Sequence, residues 1–417
     1  MSTPVPPLDD LHALLPDTVR RVVERETPIP TIAERAKALA AAHPELVRAD
    51  IGQIAGVDAS IEVLYGPPVG LEPLRAALAE TWSRVFGGSG EISSPIGARN
   101  VTVCSGAAEG LSLLFRCFGS GRVVGLPRGH WENYLNGVDL AGGRSVIVEF
   151  FDARGALDAE GLARRIREEK IAALVANFPC NPTGAVLDHE EAARLAAVAR
   201  DTGVVIIADE VYARLRYDGV APVSLVAHAP GHAVAIGSAS KEYLLPGARV
   251  GYVVSARAQL TDIVLRRLVR ANTASPNVLG QQRLLDLLQR DLVDLRAGRD
   301  AALLGRVRDE MRRRRDALVT VLARHGMEPV GRAHRKPEGT IFLMASVPAW
   351  FRGSDEDFAK TALERCIVSV IPGAAFGLPG AVRLSYGTMT PPDCERLDTN
   401  LTRLQASIVT EPSPAAS

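Results

Sequence analysis

The 417-residue sequence predicts an α/β protein built as two lobes: a large domain with a mostly parallel, seven-stranded sheet, and a smaller α+β domain. Three observations carry this prediction. A chain of this length with 47% hydrophobic residues exceeds what one compact core of ordinary size holds. Between residues 100 and 255, short β-branched runs alternate with amphipathic segments, the pattern of a parallel sheet covered on both faces. Polar, glycine-containing motifs follow directly after several of these runs, where ligands sit in open α/β sheets.

The strand candidates in order are Val101–Cys104, Val123–Leu126, Ser145–Phe150, Ala172–Asn177, Val204–Asp209, Ala233–Gly237 and Val250–Val254. Runs such as Val204 to Ala208 are apolar without alternation, which marks strands buried on both sides. Helices fit between them; in Glu190–Thr202 the apolar Ala192, Leu195, Ala196 and Val198 approximate one stripe. From about 256 to 326 the pattern is helical, with a charged amphipathic stretch from Asp294 to Arg324 expected to link the lobes. Thr340–Ala345, a helix around Asp355–Arg365 and a strand at Val382–Ser385 read as the small lobe. The expected division is 49–294 for the large domain, with 1–48 and 295–417 in the small one, and a disordered tail over 411–417.

Composition excludes several classes. Lys plus Arg and Asp plus Glu stand at 48 each, so no net field attracts nucleic acid or an anionic membrane, and the basic run Arg312 to Arg315 reads as a solvated helix face. The start of the chain lacks the pattern of a secretory signal, and no apolar run reaches membrane-spanning length. Five cysteines without CxxC pairing and eight scattered histidines predict neither a disulfide framework nor a metal site, and a cytoplasmic location is expected.

Five motifs converge on the carboxyl edge of the sheet. Ser238-Ala239-Ser240-Lys241 sets a lysine between hydroxyls, and Arg249 follows in the Pro246-to-Gly251 turn. A lysine held partly out of water has a lowered pKa and can form and exchange a Schiff base with an aldehyde cofactor, then serve as the base that moves the α-proton. Ser105-Gly106-Ala107-Ala108 opens a helix after a strand, where free backbone N–H groups favour an anion such as a phosphate, and Ser238, Ser240 and Arg249 add hydroxyls and charge. Asp209, at the end of a buried strand, needs a partner; opposite a pyridine nitrogen it would keep that nitrogen protonated. Glu210 beside it points the other way and reads as structural.

Together with Asn181-Pro182-Thr183-Gly184, Asp209-Glu210-Val211-Tyr212 and Pro372-to-Gly377 with Arg383, these motifs resemble the pyridoxal-5'-phosphate enzymes of fold type I, in the class I/II (aspartate) aminotransferase family, over about residues 50 to 390. The resemblance implies pyridoxal 5'-phosphate held by Lys241, with Tyr212 and Asn181 on the ring's phenolic oxygen. It implies Trp131 stacked on the ring, with Tyr134 matching a second aromatic three residues later, and Arg383 gripping the α-carboxylate of an amino acid substrate with Gly52 closing over it. It implies Tyr65 reaching the partner's cofactor phosphate in a homodimer. Arg270 lies near, and one position out of register with, a residue that reaches across the dimer in aspartate-specific members. The loop from Arg128 to Tyr134 departs from the family's proline-flanked aromatic. Transamination is the expected reaction. Elimination, replacement or cyclisation at Cβ or Cγ of an amino acid or an S-adenosylmethionine-like substrate is the alternative that this loop motivates.

Overall fold

The computed structural model describes residues 7–24, 63–88, 90–92, 95–332 and 335–410. Gly52 and the tail 411–417 lie outside the described residues. The large sheet comprises β1 (Val101–Cys104), β2 (Val123–Pro127), β3 (Arg144–Val148), β4 (Ile171–Asn177), β5 (Val205–Asp209), β6 (Ala233–Ser238) and β7 (Gly251–Val254), in the order β1-β7-β6-β5-β4-β2-β3. Only β7 runs against its neighbours, pairing antiparallel with both β1 and β6. The strand boundaries shift from the sequence expectation by one or two residues.

Burial on both faces explains why β5 lacks alternation of polarity. Its Val205 and Ile207 enter one hydrophobic core, with Ala173, Val175, Val234 and Ile236. Its Ile206 and Ala208 enter the other, with Leu174, Ala176 and Ala235. Successive side chains still point to opposite faces, but helices cover both, so every position selects for apolar residues.

A small antiparallel sheet follows, β8 (Phe342–Ser346), β9 (Ile371–Pro372) and β10 (Ala381–Ser385), in the order β8-β10-β9. Asp355, buried at the start of the Asp355–Cys366 helix, accepts hydrogen bonds from Ala374 N (2.8 Å) and Gly380 N (3.0 Å), which sets the loop leading into β10. Pairing with Met344 and Ile371 then fixes Arg383 in the central strand.

One detail differs from expectation. The charged stretch from Asp294 is not one helix: Val278–Arg296 ends, and Ala302–Arg324 begins after a turn through Gly298 at φ 69°. Asp294 makes the break, accepting Arg299 N at its carbonyl (2.9 Å) and Ala302 N at its carboxylate (3.2 Å). Helices Leu11–Leu14 and Asp17–Glu24 lean on the body that carries the large sheet: Leu8 N donates to Gly231 O (3.4 Å), Asp9 pairs with Arg257, and Leu11, Leu15 and Val19 are buried.

Candidate active site

Asp209 and Lys241 owe their positions to the same device, a strand that ends at the carboxyl edge of the sheet. After β6, Ser238 caps the short Ala239–Glu242 helix by accepting Ser240 N–H at 3.1 Å, and Lys241 rises from its last turn. Its amine lies 5.7 Å from the centre of the Tyr212 ring. Burial lowers the Lys241 pKa most, the Arg383 guanidinium lowers it further, and Asp209 opposes both.

Asp209 is 3% exposed, and the Tyr134 hydroxyl donates to its Oδ2 at 2.5 Å. Its Oδ1 accepts only a long contact from Val211 N, 3.4 Å. Burial raises the carboxyl to about 6 against the hydrogen bond from Tyr134. A buried carboxylate surrounded by neutral donors fits a cationic ring nitrogen, which would restore its charge. Glu210 turns to the opposite face, accepts Leu225 N–H at 2.7 Å, and is pushed up to about 8 by burial. Glu242, next to Lys241, likewise turns away and accepts Arg214 N–H at 3.0 Å.

Asn177 ends β4 in register with Asp209. Its amide donates to Asp209 O (2.9 Å) and accepts Asn181 N–H (2.8 Å), so it sets the loop that presents Asn181. Arg383 reaches that loop from β10, donating to Asn181 Oδ1 at 3.3 Å. The guanidinium lies between two rings, Phe342 at 4.3 Å and Phe376 at 4.5 Å. This holds the fork flat while its charge faces a site that Lys241 and Tyr212 share.

On the other side of the cleft, Trp131 is partly buried and meets Tyr134 edge-on, with ring centres 5.7 Å apart. His130 turns inward instead, its Nδ1 3.1 Å from Pro127 O, and burial lowers its pKa. It packs within the loop rather than lining the cleft.

Beyond β1, Gly106 at φ 82° offers no side-chain cap to the Ala107–Phe118 helix. A Cβ at Gly106 would sit 2.4 Å from Arg249 Nη2, and one at Gly251 2.4 Å from Ala107 N. The helix start, with Ala107 and Ala108 as its first residues, and the Arg249 guanidinium thus meet across two glycines, with Ser105 leading in. That cradle of backbone N–H groups and one guanidinium suits a phosphate. Glu109, in the first turn, accepts Ser105 N–H at 2.6 Å.

Lys241, Asp209, Tyr212, Asn181 and Arg383 are therefore brought together, with Trp131 beside them and Ser238, Ser240 and Arg249 on the neighbouring turns. Tyr65 is 75% exposed. Sequence reading passed over Asn177, the Tyr134 contact with Asp209, and the two phenylalanines around Arg383. An asparagine closing an apolar run beside Asp209 was a legible signal. Phe376 lies in the Pro372-to-Gly377 motif, but nothing local joins it with Phe342; both rings reach Arg383 only when β10 forms.

The family described as "Aminotransferase class I and II" matches residues 39–401. The chain is 32% identical over 330 residues to an aspartate/prephenate aminotransferase of Thermus thermophilus, covering 78% of this chain and 79% of that one. It is 29% identical over 337 residues to an aspartate aminotransferase of Bacillus subtilis, covering 78% and 79%. Among solved structures, the Thermus thermophilus aspartate aminotransferase with maleate superposes with a TM-score of 0.71 at 29% identity, covering 93% of this chain and 98% of that one. The Thermotoga maritima aspartate aminotransferase gives 0.70 at 26% identity, covering 94% and 100%.

Proposed function

The chain belongs to the class I and II aminotransferases, a pyridoxal-phosphate-dependent family of fold type I, and from that premise we propose which residues do the work and on what. The single observation that carries the assignment is Asp209, a buried carboxylate whose close partner is a neutral tyrosine, set in the same cleft as Lys241 and Arg383. When bound, pyridoxal phosphate supplies an aldehyde that condenses with amines and a ring that accepts the electron pair left at the α-carbon.

Lys241 Nζ is the amine that would bind the cofactor covalently. Its lowered pKa enlarges the uncharged fraction, which would hold the cofactor and could then carry a proton from the substrate's Cα. Asp209, oriented by Tyr134, would keep the ring nitrogen protonated. Tyr212 and Asn181 would hold the phenolic oxygen, and Trp131 would pack on the ring. Ser105, Gly106, Ala107, Ala108, Ser238, Ser240 and Arg249 would hold the phosphate. Arg383 grips the substrate's α-carboxylate as a fork.

We assign the reaction as amino-group transfer from an α-amino acid to a 2-oxo acid. The names of the relatives make aspartate the first donor to test, and nothing in them supports elimination, replacement or cyclisation. A homodimer is the active unit in this reading. Exposed Val63, Leu64, Tyr65 and Leu279 offer apolar surface suited to a second copy, whose site Tyr65 would reach. We place the boundary between the large and small domains near residue 294, with 7–24 lying against the large one. Among the described residues no helix is long and apolar enough to cross a membrane. Five cysteines without a disulfide suit a reducing cytoplasm.

The test is a half-reaction. The cofactor-loaded protein is mixed with single amino acids and no oxo acid, and products are read by mass spectrometry. Stoichiometric oxo acid, with the amino group left on the cofactor, supports transfer and names the donor. Elimination or cyclised products, with the cofactor unchanged, would refute it.

A further inference from the structure

We propose that Glu109, Asn272 and Thr273 act together as positioning residues for the cofactor's phosphate, a reading that rests on the phosphate cradle assigned above. Glu109 is 8% exposed and sits in the first turn of the helix whose start forms that cradle. A carboxylate beside a dianionic phosphate is repulsive unless its charge is engaged. Here every oxygen is engaged. Oε2 accepts Ser105 N–H at 2.6 Å, while Oε1 accepts Asn272 Nδ2–H at 2.7 Å and the Thr273 hydroxyl at 3.0 Å.

The arrangement does two things. Gly106 N–H turns back onto Cys104 O at 2.8 Å, and Glu109 holds the preceding peptide through Ser105 N–H. With both peptides pinned, the N–H groups of the helix's first turn, which have no partner inside the helix, face outward together. Asn272 and Thr273 meanwhile draw the Glu109 charge away from the cradle, toward the end of the Arg266–Thr273 helix. Arg249 stands on the other side of Gly106. Burial raises the pKa of the neighbouring Cys104 thiol most, the Glu109 charge raises it further, and the Gly110 backbone and Arg249 lower it.

The Asn272 and Thr273 side chains come from the exposed last turn of the Arg266–Thr273 helix, more than 160 residues away in sequence. Replacing them leaves the core of the helix start untouched. The experiment removes cofactor from the purified protein and titrates it by absorbance with pyridoxal 5'-phosphate and, separately, with pyridoxal, which lacks the phosphate. Losing these donors, Asn272→Ala with Thr273→Val weakens pyridoxal-phosphate binding about tenfold and leaves pyridoxal within about twofold. Glu109→Gln cannot accept from Ser105 N–H and Asn272 at once, and gives the same pattern.

Equal weakening of both ligands in the two variants would show a merely structural role and overturn the proposal, as would tighter pyridoxal-phosphate binding by Glu109→Gln. Unmodified protein that binds pyridoxal phosphate no better than pyridoxal refutes the cradle itself, a separate failure from that of the three residues.

Discussion

The Tyr134 hydroxyl donates to Asp209 Oδ2 at 2.5 Å, both residues being buried, so the carboxylate at the centre of the cleft is oriented by a neutral donor. The neighbouring Trp131 ring packs edge-on against Tyr134, so the loop that departs from the family pattern reaches Asp209 through Tyr134. A neutral partner leaves Asp209 free to pair with a positive charge, whereas an arginine there would have satisfied it permanently.

Tyr134→Phe removes that donor and keeps the ring. Turnover of the cofactor-loaded enzyme falls by roughly tenfold, equal to about 1.4 kcal/mol, and the acid limb of the rate profile moves to higher pH. The measurement is kcat against pH, with pyridoxal-phosphate affinity as control. An unmoved acid limb would mean that Tyr134 only fills space.

Asp209 also makes the cofactor-free protein sensitive to pH. Its carboxyl titrates near 3.8 when unfolded and at about 6 when folded. Between these values the folded chain keeps a proton that the unfolded chain loses, so stability falls as pH rises through that window, by up to about 3 kcal/mol. Glu242, raised to about 7, and Glu210, raised to about 8, add to the decline from 4.5 upward and carry it to higher pH. Denaturant melts of cofactor-free Asp209→Asn are expected to lose the Asp209 share of the slope between 3.8 and about 6 and to keep the rest.

Arg383→Lys keeps the charge but loses the fork between Phe342 and Phe376. KM for the amino acid rises roughly 30- to 150-fold, about 2 to 3 kcal/mol, while cofactor affinity stays within about twofold. Steady-state kinetics with the donor found in the half-reaction checks it. A matching loss of cofactor would place Arg383 elsewhere in the mechanism.

Lys241→Ala retains cofactor through Arg249 and Asp209 but forms no covalent bond to it. Borohydride treatment followed by mass spectrometry is expected to leave the variant unmodified and the unaltered protein labelled. A labelled variant would assign the bond to another lysine.

The strands, the glycine turns and the residues after them were readable along the chain because each depends on local chemistry. A strand buried on both faces must be apolar throughout, a helix start at φ 82° favours glycine, and a polar residue closing an apolar run marks the sheet's edge. Lys241, Asp209, Asn181 and Arg383 were legible for that reason. Tyr134 reads from the sequence as an aromatic but not as the partner of Asp209, and nothing in the sequence marks Glu109 as the hub for Asn272 and Thr273. Those pairings span 75 and 163 residues, and no periodicity records them. The sandwich of Arg383 between Phe342 and Phe376 exists only once β8, β10 and the loop held by Asp355 have assembled. The sequence by itself determined which chemical groups line the carboxyl edge, since backbone pattern and residue type are local properties. Tertiary structure alone decided which group neutralises, orients or shields which, because those relations depend on distances set by packing.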